Sequence, residues 1–195
     1  MTSLFERLKA DTEEHHRELE ALIDPMKNFC SVAAYKVHLS KTWAFYHPIE
    51  LHLAALDWSV VGIDFASRQK TPLLEQDLHV LGILGHGGKD AKRPLGRTNF
   101  HFALGCLYVL EGATLGGQVI SRHLVKLGIG PENGGLFFNG YGSKTGEMWK
   151  SFKASAAAYC VTEDQMSEAV NGAIATFGRF RESMLARQET ISHVA

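Results

Sequence analysis

The sequence has little cysteine: Cys30, Cys106 and Cys160 are the only three in 195 residues, far apart and without a C-x-x-C pair. That excludes a disulfide scaffold and a zinc ribbon, and points to buried thiols in a reducing compartment. An excess of charge of one sign is also missing. Twenty basic and 21 acidic residues are interspersed, for a formal net charge of -1. No nucleic-acid surface or basic membrane tail is implied. No apolar run is long enough to span a membrane. The longest, around 103–120, is interrupted by Glu111 and Gln118 and followed by Arg122. The opening MTSLFERLKADTEEHH is charged from residue 6 onward and lacks the apolar stretch of a signal peptide. These absences predict a cytoplasmic protein with no membrane partner. Internal repeats, low-complexity segments and sustained period-two alternation are absent too, which argues against a β architecture.

Helical periodicity fills the space those absences leave. The length suits one domain, 1–195, with a full apolar core. Residues 2–23 open with Thr2 or Ser3 as N-cap, and Glu6 stands at the capping-box distance from Ser3. Leu4, Leu8, His15, Leu19 and Leu22 then mark one face, and Pro25 is expected to end the helix. A second helix, 31–47, carries Tyr35, Trp43, Phe45 and Tyr46. Pro48 kinks or stops it before a helical pattern resumes over 49–56. Thr71-Pro72 precedes a short helix over 73–84, and GHGGKDAKRPLG (85–96) reads as a loop. A long helical pattern over 99–127 leads into a glycine-rich connection, 128–146. Helices at 147–160 and 163–186 follow, the last with Thr162 and Gln165 as a capping box. The class is all-α, with six to eight helices in a bundle, and a monomer is expected.

The segment LGCLYVLEGATLGGQVISRHL, 104–124, is helical in pattern yet holds Gly105, Gly112, Gly116 and Gly117. Each interior glycine costs about 0.8–1 kcal/mol against alanine, so the four cost roughly 3–4 kcal/mol. Gly112 and Gly116 share a face, and Gly105 lies seven residues before Gly112 on the same stripe. The Gly116-Gly117 pair also permits a bend. A bare stripe serves either close packing of another helix or the approach of a flat ligand to the backbone.

His15 lies on the leucine face of the first helix, as a core histidine would. His16 is rotated by about 100° from it, in line with Phe5, Lys9, Thr12, Glu20 and Ile23. If His16 held a metal at the centre of a macrocycle, Lys9, about 10 Å along the same face, would reach an acidic ring edge. Glu20, one turn on, would orient the imidazole through its other nitrogen. The alternative is a solvated helix face with an incidental histidine. No H-E-x-x-H and no paired E-x-x-H occurs, so one axial histidine is the only metal reading the sequence supports.

Leu8, Lys9, Thr12, His16 and Glu20 resemble, at their spacing, the start of haem oxygenases. The helix Y108-V-L-E-G112-A-T-L-G116-G117-Q118 resembles the distal helix of that family. FYHPIE (45–50), DLHVLG (77–82), FFNGYG (137–142) and Trp149 look like bacterial members, and the likeness runs over roughly 4–180. The resemblance implies haem, as cofactor and substrate, held between the first helix and a kinked, glycine-bearing distal helix. It makes His16 the proximal iron ligand and Gly112 and Gly116 the close distal backbone, with Gly117 beside them. Lys9 matches a propionate-binding lysine and Lys150 a second, with Lys153 the alternative, and Phe177 walls the pocket. The implied reaction cleaves haem to biliverdin, CO and ferrous iron with O2 and an external electron donor. That donor is a ferredoxin or reductase, because no flavin or nicotinamide fingerprint is present. A bacteriophytochrome is a candidate receiver of the biliverdin.

One position departs from the family pattern. Ala113 stands where mammalian-type members carry an Asp that organises distal water. Arg122 and His123 are candidates for that role. The departure keeps open a second reading, a haem carrier or sensor of the same fold that does not turn over. A third is a related helical fold with other chemistry, which would not bind haem tightly.

Overall fold

In a computed structural model, residues 2–23, 28–83 and 99–186 are described, and their regular structure is helical. The helices are α1 (Leu4–Asp11), α2 (Glu13–Leu22), α3 (Val32–Ala54), α4 (Thr71–Val80), α5 (Phe100–Leu124), α6 (Leu136–Asn139), α7 (Thr145–Tyr159) and α8 (Glu163–Leu185). Pro25 and the loop 85–96 fall outside the described residues.

Local signals set the helix starts. Ser3 and Glu6 form a reciprocal capping box on α1, and Thr162 and Gln165 do the same on α8. Ser31 and Asn99 cap α3 and α5 through their side-chain oxygens.

Three elements differ from the sequence expectation. The first helix is not continuous over 2–23: Thr12 leaves helical geometry at φ -112°, ψ 5° and divides α1 from α2. Its buried hydroxyl donates to the Leu8 carbonyl at 2.7 Å, which competes with the helical ladder. Pro48, in contrast, does not stop α3, which runs through it. An interior proline costs about 3 kcal/mol. Burial of Tyr46, Ile49 and Leu53 on either side offsets it. The glycine-rich connection 128–146 is more ordered than a loop, since it holds α6 and several 3-10 turns.

The core forms around α5 and α8, the most closely packed pair. Leu104, Cys106, Leu107 and Leu110 of α5 are buried with Ala169, Ala173 and Phe177 of α8. Though α5 and the turn after it are long and apolar enough to cross a membrane, more than half of the most apolar stretch is buried inside the protein. Two glycines make the close approach possible. A Cβ on Gly105 would lie 1.8 Å from the Ala169 carbonyl oxygen, and one on Gly172 would lie 2.0 Å from that of Phe102. The helices therefore touch backbone to backbone at this crossing. α1, α2 and α3 pack around α8, so α8 carries the first helices on one side and α5 on the other.

Two buried carboxylates hold the outer helices in place. Glu50 of α3 accepts the backbone N–H groups of Lys70 and Thr71 at 2.6 and 2.8 Å and so caps α4. Asp77 of α4 accepts those of Leu136 and Phe137 at 2.9 and 2.8 Å and so caps α6. Burial pushes both carboxyls above their usual range.

Candidate active site

His16 stands on α2 with its side chain 58% exposed, so its ring is available to a ligand. Its Nδ1 is 3.5 Å from Glu20 Oε1, one turn on. A carboxylate at that nitrogen favours the tautomer that leaves Nε2 free as an acceptor. On the core side, Phe177 of α8 meets both histidines. The His16 ring stands edge-on to it at 6.0 Å between centroids, and the His15 ring stacks on it at 6.5 Å. His15 is thus half-buried against an aromatic ring, and His16 is the one turned outward.

The glycines of α5 divide into two kinds. Gly105 belongs to the crossing with α8. At Gly112 and Gly116 a Cβ would find nothing within 4 Å among the described residues. Helix arithmetic places Gly105 and Gly112 on one stripe. α8 backbone lies against the stripe at Gly105 and not at Gly112, so the same stripe is sealed at one end and open at the other among the described residues. Gly117 is turned away from the opening, with its Cβ position 3.4 Å from the Phe138 carbonyl oxygen of α6. The bare surface is therefore the backbone around Gly112 and Gly116, a shape that admits a flat body and that side chains would fill.

An aromatic group closes one side. Tyr108, one turn before Gly112, lies 5.8 Å from Trp149 and 6.1 Å from Phe5 between ring centroids. Lys9 and Lys150 are exposed, and neither forms an ion pair among the described residues. Lys153 lies over the Trp149 ring at 5.8 Å. With α1 and α2 broken apart at Thr12, the position of Lys9 relative to His16 no longer follows from a straight helix.

The two residues suggested for distal water are occupied elsewhere. Arg122 Nε donates to the Gln118 carbonyl one turn back, and His123 Nε2 lies 3.2 Å from the Phe29 carbonyl. A buried cluster beside the open stretch was not foreseen. Glu111, the residue before Gly112, is 2% exposed. It pairs with Arg68 at 2.7 Å and Lys70 at 3.6 Å, and accepts a hydrogen bond from the Tyr141 hydroxyl at 2.5 Å. The only hint in the sequence was a carboxylate inside an apolar run. Among the described residues no group of three or more His, Cys, Asp or Glu is placed to hold a metal ion. A ligand atom that brings its own metal needs only one such residue.

Comparisons with known proteins give the family and the fold. The family model for heme oxygenase matches residues 2–186. A heme oxygenase of Xanthomonas campestris is 32% identical over 132 residues, 67% of this chain and 77% of the relative. The heme oxygenase PigA of Pseudomonas aeruginosa is 26% identical over 179 residues, 90% of this chain and 88% of the relative. The solved heme oxygenase of Neisseria meningitidis, with NO or CO bound, superposes with a TM-score of 0.78 at 22% identity, covering 97% of this chain and 96% of that one. Heme oxygenase 2 of Chlamydomonas reinhardtii, without heme, gives 0.76 at 17% identity, covering 97% and 100%.

Proposed function

Since the chain belongs to the haem oxygenase family, we propose that it binds haem between α2 and the open stretch of α5 and cleaves it to biliverdin, CO and ferrous iron. One pairing carries this reading: an outward histidine steadied by Glu20 and Phe177, and a helix whose Gly112 and Gly116 leave bare backbone.

Haem is the substrate, and its iron supplies the site at which O2 is reduced and turned on the ring. Each residue has a separate task. His16 takes the iron through Nε2, and Glu20 holds the proton of Nδ1 so that the imidazole stays neutral toward the metal. Phe177 limits rotation of the ring of His16. On the opposite side, Gly112 and Gly116 let the backbone lie close to the porphyrin plane, which excludes bulk water and leaves room at one ring edge only. Gly117 contributes by packing α5 on Phe138. Lys9 and Lys150 pair with the two propionates, with Lys153 the alternative to Lys150, and so fix how the ring is turned about the iron axis. That orientation would decide which meso carbon faces the edge left open. Electrons come from a reductase or ferredoxin. A bacteriophytochrome is the candidate acceptor of the biliverdin.

The test is a hemin titration of the purified protein, followed by ascorbate in air. The expected result is a sharp Soret band that decays into a broad red biliverdin absorption. In His16→Ala the Soret band should be lost or shifted and its decay abolished. A wild-type protein that leaves the hemin spectrum unchanged would overturn the proposal. A Soret band that persists under both ascorbate and a ferredoxin–reductase pair would establish a carrier instead.

A further inference from the structure

The cluster behind Gly112 is a set of buried charges with no evident need to be there. A buried ion pair is weak as a stabilising device, because desolvation cancels much of its attraction. Yet four elements supply it. Glu111 comes from α5, Arg68 and Lys70 from the segment before α4, Tyr141 from the turn after α6, and Glu50 and Tyr46 from α3. Lys70 Nζ donates to the Tyr141 hydroxyl and to the Arg68 carbonyl, both at 2.6 Å. Arg68 donates to Glu111 and to the Met148 carbonyl, and its buried Nε has no partner among the described residues. Tyr46, fully buried, feels both Glu50 and Glu111, which with burial raise its hydroxyl well above the usual range. With Arg68 and Lys70 against Glu50 and Glu111, the formal charges balance.

Position gives the cluster a use. Glu111 and Gly112 are adjacent, so the carboxylate lies within about 9 Å of the Gly112 Cα. Buried charges act over that distance with little screening. Ala113, the residue after Gly112, brings no charge of its own. We propose that the Arg68–Lys70–Tyr141–Glu111 cluster sets the electrostatic potential on the open face of α5 and so tunes proton affinity on the side of the haem opposite His16. Glu111 and Lys70 are tuning residues. They act through the field and through the Gly112 backbone, and do not touch the substrate.

This rests on the haem-binding reading, and the experiment separates the two. The ferric haem complexes of wild type, Glu111→Gln and Lys70→Met are titrated with base. The readout is the pH at which the visible spectrum passes from its acid to its alkaline form. Haem affinity and circular dichroism are recorded for each. Removing the negative charge should lower the transition by about 0.5 pH unit or more, and removing the positive charge should raise it by a similar amount. Haem affinity should stay within about twofold. Opposite signs separate a field effect from loosened packing, which would displace both variants the same way. Shifts of one sign, or no shift in either, overturn the inference while leaving haem binding intact. If Glu111→Gln does not fold, Lys70→Met decides alone: a rise supports the proposal, and no change or a fall refutes it. A wild-type protein without a Soret band overturns the haem reading and this inference with it.

Discussion

The two halves of α5 use glycine for opposite ends. At Gly105 the missing side chain lets α8 come into backbone contact, with Gly172 returning the arrangement at Phe102. At Gly112 and Gly116 none of the described residues fills the space the missing side chains leave. The first half spends its glycine on packing, which is recovered as close contact within the fold. The second half has no such recovery among the described residues, and on the proposed reading its cost of roughly 1 kcal/mol per glycine is offset by the bound ligand. A glycine stripe is thus not one feature but two. Which kind each residue is depends on where the neighbouring helix diverges.

The largest effect should come from closing the sealed half. Gly105→Ala places a methyl 1.8 Å from a backbone oxygen, and backbone cannot give way as a side-chain tip can. We expect a loss of about 3 kcal/mol, and a fall of roughly 10 °C in Tm. Calorimetry of the haem-free protein measures both. Gly172→Ala should behave alike, because its methyl would meet the Phe102 carbonyl. If either variant melts within about 2 °C of wild type, the crossing is not the tight seam described here.

Next comes the support beneath the open half. Gly117 rests on Phe138, and the Phe138 ring stacks on the buried His38 at 6.1 Å between centroids. Phe29 stands against His38 at 4.7 Å and against Phe138 at 5.7 Å, so the three rings form one cluster. Burial, with Lys41 nearby as a second cause, lowers the His38 imidazole from its usual 6.5 to about 4. The folded pKa is below the unfolded one, so the stabilising contribution is complete above about pH 6.5. It is lost as pH falls toward 4, where the unfolded chain takes up a proton that the fold refuses. The loss over that window is at most about 3 kcal/mol. Denaturant titrations of wild type and His38→Leu between pH 7 and 4 should show the wild type declining more steeply. Parallel curves would mean that His38 reaches solvent and that this support is looser than its packing implies.

How much of this was legible in the chain follows the range of the interaction responsible. Both capping boxes and the extent of α5 could be read directly, because each rests on residues within a turn or along one helix face. The placing of His16 beside Glu20 and Phe177 was legible too, through spacing and through likeness to a family. The break at Thr12 and the passage of α3 through Pro48 were not. In the first a side chain shares the Leu8 carbonyl with the backbone ladder, and in the second tertiary burial outweighs a backbone defect. Gly105 and Gly112 could not be told apart at all, because periodicity fixes a face but not the angle at which another helix crosses it. The Glu111 cluster was hidden for a similar reason. Its members come from positions 46, 50, 68, 70, 111 and 141, and no local pattern ties them together.

The finest test of the comparison lies in two adjacent residues. Gly116 faces open space, whereas Gly117, about 100° round the helix, faces the Phe138 carbonyl at a distance a methyl can tolerate. Alanine at either site should improve helix propensity by about 1 kcal/mol and leave the haem-free protein no less stable. Hemin titration should then separate them. In Gly116→Ala the methyl projects into the space assigned to the porphyrin, and affinity should fall at least tenfold, about 1.4 kcal/mol. In Gly117→Ala the methyl meets α6, and affinity should change less than about threefold, under 0.7 kcal/mol. Equal losses at both sites would place Gly117 in direct contact with the ligand and require α5 to turn or bend on binding. Equal tolerance would move the ligand off this face of α5, and the open half would then need another explanation for its glycines.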